Sequence, residues 1–211
     1  MSARLSPAYR AVMAGCSPIV RRWGRLTVSG LEHLPTTGPV LLVGNHDSYW
    51  DPIVIGIAAR PRRQIRALAK SSLWKIRGID LVLDGMRQIP IERGRGDVGA
   101  LSNAIEALRA GDCIGVFPEG TRSLGRTLRP RSGLGRLADA VPEAEVVCCS
   151  VVGTTDIAAF PRRPDLHVRF FSPAGGKLQP GERPGDFAAR LLAEIRAGAP
   201  VVATGRRRRS G

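Results

Sequence analysis

The chain has 211 residues, of which 43% are hydrophobic and 24% charged. This balance fits one globular domain and argues against a disordered chain. The formal net charge of +14 predicts a polyanionic partner, which could be nucleic acid, an anionic lipid surface or a phosphorylated substrate.

No segment contains the ~20 consecutive apolar residues that a membrane-spanning helix needs. The N-terminus also lacks the continuous apolar core of a signal peptide. We therefore expect a protein without a transmembrane span that is either cytosolic or peripheral, bound at the cytoplasmic face of the cell membrane. The cysteines form no metal-ligand or disulfide pattern, which predicts buried thiols at Cys16, Cys113, Cys148 and Cys149.

Residues 1–25 predict a basic, amphipathic two-helix element. Pro18 disfavours one straight helix, so we expect helices over 6–16 and 18–24, with Ser17 as the second N-cap. This element either packs on its own domain or lies in a membrane interface with its arginines at the headgroups. The apolar residues recur at helical spacing, at Leu5, Tyr9, Val12, Met13, Cys16, Ile19, Val20 and Trp23.

Residues 26–200 predict an α/β domain, because apolar strands alternate with helices. This pattern is typical of a mostly parallel or mixed central sheet flanked by helices. Residues 201–211 are a basic tail that we expect to be disordered. Strands are predicted over 26–31, 39–43, 65–69, 88–91, 113–117, 146–152 and 166–171, and helices over 53–60, 71–76, 96–110 and 186–196.

A polar cluster over residues 44–51 follows the buried strand at 39–43, where α/β sheets commonly form sites. Asp51 stands five residues after His46, so a turn into a helix can return its carboxylate to the imidazole. Such a pair fixes the imidazole tautomer and makes the ring a general base. A structural histidine and a helix-capping aspartate are the alternatives. We assign structural roles to His33 and His167, which have no such setting.

A second polar cluster, over residues 116–123, follows the predicted strand at 113–117. Gly120 permits a tight turn, and the planar guanidinium of Arg122 suits a phosphate group. A plain surface turn is the alternative. Backbone N–H groups near residues 44–47 or at Gly120 are candidate donors to an oxyanion.

Together the clusters resemble the NHxxxxD and FPEGTR blocks of the glycerolipid acyltransferase superfamily, and within it the 1-acylglycerol-3-phosphate acyltransferases. Residues 88–93 are similar to a third block, which ends in an arginine. The resemblance extends over about residues 28–152. Two features depart from the pattern: Arg131 precedes Gly133 where the family usually has a lysine, and residues 150–153 lack a proline.

The resemblance implies that His46 is the catalytic base and Asp51 its orienting carboxylate. It implies that an acyl group moves from acyl-CoA or acyl carrier protein to the hydroxyl of 1-acylglycerol-3-phosphate, giving phosphatidic acid in phospholipid biosynthesis. Neither a metal nor a cofactor is expected, and residues 1–25 are expected to dock on an anionic membrane. The substrate-binding positions that it implies are Asn45, Arg93, Glu119, Gly120, Thr121, Arg122 and Arg131.

Two alternatives remain open from the sequence. The same chemistry could act on another acceptor: glycerol-3-phosphate, a lysophospholipid, or another lipid alcohol or amine. A more remote alternative is a basic nucleic-acid-binding protein. Aromatic residues make up only 5% of the chain and are not interleaved with basic residues for base stacking, so we expect no nucleic-acid partner.

Overall fold

The computed structural model describes residues 5–92, 97–158, 161 and 163–201. Arg93 and all but the first residue of the predicted C-terminal tail lie outside the described residues. Within those ranges, no helix is both long and apolar enough to cross a bilayer.

A seven-stranded sheet forms the centre of the domain, in the order β1-β7-β6-β2-β5-β3-β4. All neighbouring strands are parallel except β6 and β7, which are antiparallel. The predicted α/β class with a mostly parallel sheet is confirmed. The strands are β1 (Thr27–Ser29), β2 (Val40–Gly44), β3 (Arg66–Lys70), β4 (Ile89–Ile91), β5 (Cys113–Val116), β6 (Glu145–Val152) and β7 (His167–Phe171).

The helices flank the sheet, and two of them were not predicted. One is α5, whose glycines disfavour a helix but which forms because Leu134 and Leu137 are buried in the core. The other is α3, a single short helix without buried residues. The helices are α1 (Pro7–Ser17), α2 (Asp51–Ala59), α3 (Ile79–Gly85), α4 (Val98–Arg109), α5 (Gly133–Ala140) and α6 (Pro184–Gly198).

The central strand β2 is buried along its whole length between β5 and β6. Successive side chains of a strand point to opposite faces, so β2 serves two cores. Val40 and Leu42 join the core that packs against α1 and α2. Leu41 and Val43 join the core that packs against α4, α5 and α6. A continuous apolar run is what such a doubly covered strand requires.

The thiols are buried largely as the sequence predicts. Cys113, Cys148 and Cys149 are buried and unpaired, whereas Cys16 is only half-buried. Burial raises the pKa of Cys113 and of Cys148 to about 12, so both remain protonated at neutral pH.

The N-terminal element differs from its prediction at Ser17. This residue has helical dihedral angles and makes no capping hydrogen bond; Ser6 caps α1 instead, accepting from the Tyr9 N–H at 3.2 Å. The chain continues directly into a π-helix over Pro18–Trp23, closed by a 2.8 Å bond from Gly24 N to Ile19 O. The change of helical register coincides with proline, which has no N–H to donate.

The apolar face of α1 packs on the protein itself. Tyr9 and Met13 of α1 are almost completely buried, as is Val20 of the π-helix that follows. The Tyr9 hydroxyl donates to the Gly56 carbonyl of α2 at 3.3 Å. Leu5, Val12 and Cys16 pack against the same core. Tyr9 and Met13 therefore follow the alternative in which this face packs on its own domain, and membrane docking by residues 1–25 stays a prediction. Hydrophobic periodicity identifies an apolar face but not the surface that covers it.

Helices α5 and α6 approach closely at Gly135. A Cβ atom at this position would lie 2.3 Å from both the Cα and the carbonyl oxygen of Pro184. Because those are backbone atoms at the start of α6, a side chain here would displace the helix. Gly135 thus fixes where α6 lies over the sheet.

We expect Gly135→Ala to lower the free energy of unfolding by about 1–3 kcal/mol, because the added methyl group overpacks the contact with α6. Gly133→Ala is the matched control in the same helix, because nothing lies within 4 Å of its Cβ position. Urea denaturation of both variants measures the difference. An equal loss in the two variants would contradict the close approach at Gly135.

Candidate active site

The two polar clusters leave the sheet at the same edge. Strands β2 and β5 are parallel neighbours, with Val43 paired to Val116, so their carboxyl ends lie side by side. The segment after β2 carries His46, and the segment after β5 carries Phe117 and Glu119. Parallel pairing alone therefore brings together residues that are some 70 positions apart in sequence.

His46 and Asp51 form a buried hydrogen-bonded pair. The imidazole Nδ1 lies 3.0 Å from Oδ2 of Asp51, the first residue of α2. The same oxygen accepts the backbone N–H groups of Asp47 at 2.6 Å and Ser48 at 2.7 Å. Because a carboxylate oxygen accepts, Nδ1 carries the proton of the neutral ring and Nε2 is the acceptor nitrogen. This tautomer is the one that can take a proton from a substrate.

Two further contacts fix the pair. The Thr154 hydroxyl donates to Oδ1 of Asp51, and the Phe117 ring stacks on the imidazole with centroids 4.3 Å apart and planes 14° from parallel. Thr154 follows β6 through Gly153, whose φ of +85° permits the turn. This is the region where the sequence departs from the family pattern. Nothing in the local sequence around Thr154 identifies it as a partner of Asp51.

Glu119 joins the two clusters from inside the protein. Its Oε2 accepts the backbone N–H of His46 at 2.8 Å, and its Oε1 accepts from Arg196 at 2.6 Å. The side chain is buried, with both oxygens bonded to protein groups. In the structure the Glu119 carboxylate holds the His46 segment in place, and its predicted substrate contact stays a prediction.

Asn45 also faces inward. It accepts from the Val151 N–H and donates to the Val151 carbonyl, both at 2.8 Å, and donates to Asp47 at 2.9 Å. The amide is fully buried, and these partners use both of its donors. Asn45 therefore anchors the His46 segment to β6, and its predicted substrate contact stays a prediction.

Three of the backbone N–H groups that the sequence offers as candidate oxyanion donors are already bonded. His46 N donates to Glu119, Asp47 N donates to Asp51, and Gly120 N donates to the Phe117 carbonyl at 3.0 Å. These three amides hold the fold of the two segments, and they are not free to receive a substrate oxygen.

Arg196 of α6 makes the largest contribution to the site's hydrogen-bond network that the sequence did not reveal. Its guanidinium binds Asp47 through two bonds of 2.8 and 2.9 Å and binds Glu119 at 2.6 Å. Burial raises the pKa of Asp47, but hydrogen bonds from Arg196, Ser123 and Asn45 outweigh that effect, and the pKa is below its usual value. Arg196 lies far along the chain from both clusters, so no local motif predicts this contact.

The remaining predicted positions that the structure describes lie on the loop after β5. Arg122 stacks over the Tyr49 ring, with its guanidinium carbon 3.6 Å from the ring centroid. Gly120 adopts a φ of +70°, and a Cβ atom at this position would lie 3.2 Å from Cγ of Arg131. The backbone N–H of Arg131 donates to the Pro118 carbonyl at 2.7 Å. Thr121 and Arg131 are exposed and Arg122 is half-buried. Arg93 falls outside the described residues.

Sequence comparison finds similarity to one protein family and to several bacterial proteins. The acyltransferase family model matches residues 25–153. A 1-acyl-sn-glycerol-3-phosphate acyltransferase of Borreliella burgdorferi is 37% identical over 50% of this chain and 42% of its own length. Its counterpart in Bacillus subtilis is 28% identical over 47% of this chain and 50% of its own length. An uncharacterized Mycobacterium leprae protein is 31% identical over 65% of this chain and 39% of its own length.

Structural comparison shows the same fold in a crystal structure of the 1-acyl-sn-glycerophosphate acyltransferase PlsC from Thermotoga maritima. The TM-score is 0.69, with 22% sequence identity, and the match covers 91% of this chain and 80% of that protein. The matched segments span half or less of the length of the three sequence relatives described above.

We expect Arg196→Met to lower the free energy of unfolding by about 3–5 kcal/mol, because it leaves the carboxylates of Asp47 and Glu119 without their cation. Arg196→Lys should lower the free energy of unfolding by a smaller amount, since lysine keeps the charge but lacks the planar guanidinium fork. Arg183→Met, which breaks a solvent-exposed pair with Asp186 at the start of the same helix, is the control and should change little. Urea denaturation that ranks Arg196→Met with Arg183→Met would contradict a structural role for this network.

Proposed function

Because the chain belongs to the acyltransferase family, we propose that it moves a fatty acyl group from a thioester to the free hydroxyl of 1-acylglycerol-3-phosphate. The product is phosphatidic acid, a precursor in phospholipid biosynthesis. The observation that carries the proposal is the 3.0 Å contact between His46 Nδ1 and Asp51 Oδ2. The names of the relatives from Borreliella burgdorferi and Bacillus subtilis support this acceptor.

In the proposed reaction His46 is the general base and Asp51 orients it. The acceptor hydroxyl gives its proton to Nε2 of His46 while its oxygen attacks the thioester carbonyl carbon. Asp51 stabilises the imidazolium that forms. The carbon–sulfur bond then breaks, and the departing thiolate takes the proton back from His46. Acyl-CoA or acyl carrier protein is the co-substrate, and the proposed step uses neither a metal nor a cofactor.

We assign the acceptor phosphate to the basic side of the loop after β5. Arg122 and Arg131 flank the turn at Gly120 and Thr121, and Arg93 comes from the third block of the family pattern. A guanidinium group matches phosphate geometry with two parallel hydrogen bonds. Stacking of Arg122 on Tyr49 limits the orientations of that fork, so less freedom is lost when phosphate binds.

The proposed acceptor keeps its acyl chain in a bilayer, so the reaction requires a protein that reaches a membrane surface, and we propose that it does so as a peripheral protein. The net charge of +14 favours attraction to anionic headgroups. The cytoplasmic face of the cell membrane is the proposed location. Because Tyr9 and Met13 are buried, the side chains that contact the lipid must be other, exposed ones.

A second acceptor is the main competing proposal. Arg131 and residues 150–153 depart from the family pattern, which favours testing glycerol-3-phosphate and other lysophospholipids. A panel of these acceptors with one labelled acyl-CoA would compare their kcat/KM values. A higher kcat/KM for an acceptor other than 1-acylglycerol-3-phosphate would replace the proposed substrate while keeping the reaction type.

We expect His46→Ala to lower kcat by about 10²–10⁴-fold or more, since the general base is removed. His33→Ala is the control, because His33 is exposed and bonded to Ser172 at 3.2 Å, on another part of the surface. Steady-state acyl transfer from labelled acyl-CoA measures both, with circular dichroism to verify folding. Turnover by folded His46→Ala at the wild-type rate would refute the mechanism.

We expect Arg122→Ala to raise the KM for 1-acylglycerol-3-phosphate by about 10–100-fold, from the loss of charge-assisted hydrogen bonds to phosphate. The KM for acyl-CoA should stay unchanged. Arg126→Ala removes an exposed arginine from the same loop and serves as the control. An acceptor KM that Arg122→Ala leaves unaltered, or that both variants raise equally, argues against a specific phosphate contact.

A further inference from the structure

A cluster of exposed apolar side chains follows β3. Five large hydrophobic residues within ten positions are exposed, and α3, which the structure describes in full, has no buried residue. Single exposed hydrophobic residues are ordinary, whereas several within one short segment are typical of a contact surface. We call this group the apolar ridge; its members are Leu73 (37% exposed), Ile76 (52%), Ile79 (40%), Leu81 (75%) and Val82 (37%).

The ridge begins at the edge of the sheet that carries the candidate active site. Strand β3 is a parallel neighbour of β5, and it ends at Lys70. The carboxyl ends of β2, β5 and β3 therefore lie along one edge. Leu73 follows the end of β3 by three residues, in a 3₁₀ turn over Ser71–Lys75. A membrane that contacts the ridge would therefore lie on the side of the candidate active site.

Basic side chains border the ridge. Lys70, Lys75 and Arg77 are all exposed, and the first two are two of only three lysines in the whole chain. The acidic residues of this segment make local bonds instead: Asp84 accepts from the Trp74 indole at 2.7 Å, and Asp80 accepts from Gly78 N at 2.8 Å. Exposed apolar residues bordered by cations match the chemistry of an anionic lipid interface.

Helix α1 supports the ridge from behind. A Cβ atom at Gly85, the last residue of α3, would lie 2.7 Å from the Ala8 Cβ of α1, so the two helices are in close contact there. The Trp74–Asp84 bond ties the 3₁₀ turn to the end of α3. The ridge is thus braced by an N-terminal helix whose own apolar face is turned into the core.

We propose that the apolar ridge is the surface that inserts into an anionic phospholipid membrane, with α1 bracing it rather than contacting the acyl chains. The inference rests on the proposed function for the need to reach a membrane-bound acceptor. The choice of surface rests on exposure, position and charge. Lipid is the occupant because the ridge pairs apolar side chains with exposed cations at the edge that carries the candidate active site.

The test compares the double variant Ile76→Gln/Leu81→Gln with Val98→Gln. Val98 is the matched control: it is 75% exposed, like Leu81, but belongs to α4, which packs on the opposite face of the sheet. Binding is measured by flotation with vesicles of phosphatidylcholine and phosphatidylglycerol in equal parts. The ridge variant should bind about 10–100-fold more weakly, because two apolar side chains no longer enter the interface. Val98→Gln should bind like the wild type.

Flotation of the ridge variant equal to the wild type, or an equal loss in Val98→Gln, would overturn the proposal. So would light scattering that shows the ridge variant to dissociate a dimer while vesicle binding is unchanged, since the ridge would then join two copies of the chain.

Activity on a short-chain, water-soluble lysophosphatidate separates this proposal from the proposed function. The ridge variant should acylate that soluble acceptor at the wild-type rate and lose activity only on acceptor held in vesicles. A wild-type protein that floats through the ridge but acylates no acceptor would refute the proposed function and leave the docking surface intact. A ridge variant that keeps full activity on vesicle-bound acceptor would refute the docking surface alone.

Discussion

The buried carboxylate of Glu119 is the constraint on which the site geometry depends. It bonds the backbone of His46 on one side and the guanidinium of Arg196 on the other, so the segments after β2 and β5 cannot move apart independently. Arg196 also clamps Asp47 with two bonds. A buried carboxylate is costly unless a cation and hydrogen bonds satisfy it, and here both do. Helix α6, through Arg196, therefore holds together the loops after β2 and β5.

Asp51 accepts a second group of hydrogen bonds at the same edge of the sheet. Its two oxygens accept from the imidazole of His46, from two backbone N–H groups and from the Thr154 hydroxyl, while the Phe117 ring covers one face of the imidazole. A ring held at Nδ1 and across one face has little freedom to turn. That rigidity serves the proposed base, because proton transfer requires a fixed position of Nε2.

The N-terminal helix packs on the domain, and we assign membrane contact to the apolar ridge. From the sequence we had expected residues 1–25 to contact the membrane. Helix α1 buries Tyr9 and Met13 in the core, and α3 exposes Leu81 to the surroundings. Burial of a face stabilises the fold, whereas an exposed apolar face is stabilised only by a partner. The proposed docking surface therefore includes α3, which has no buried residue. It is braced by α1, whose apolar side chains are buried.

The sequence by itself determined the sheet strands, the position of His46 after a buried strand, and the five-residue spacing to Asp51, because strand burial and local turns are encoded by neighbouring residues. The resemblance to the acyltransferases also rested on sequence motifs alone. Only the tertiary structure decided that Glu119 and Asn45 face inward, that Thr154 and Arg196 complete the network, and that the α1 face is covered. Each of these depends on contacts between residues far apart in the chain, for which local periodicity and motif spacing carry no signal.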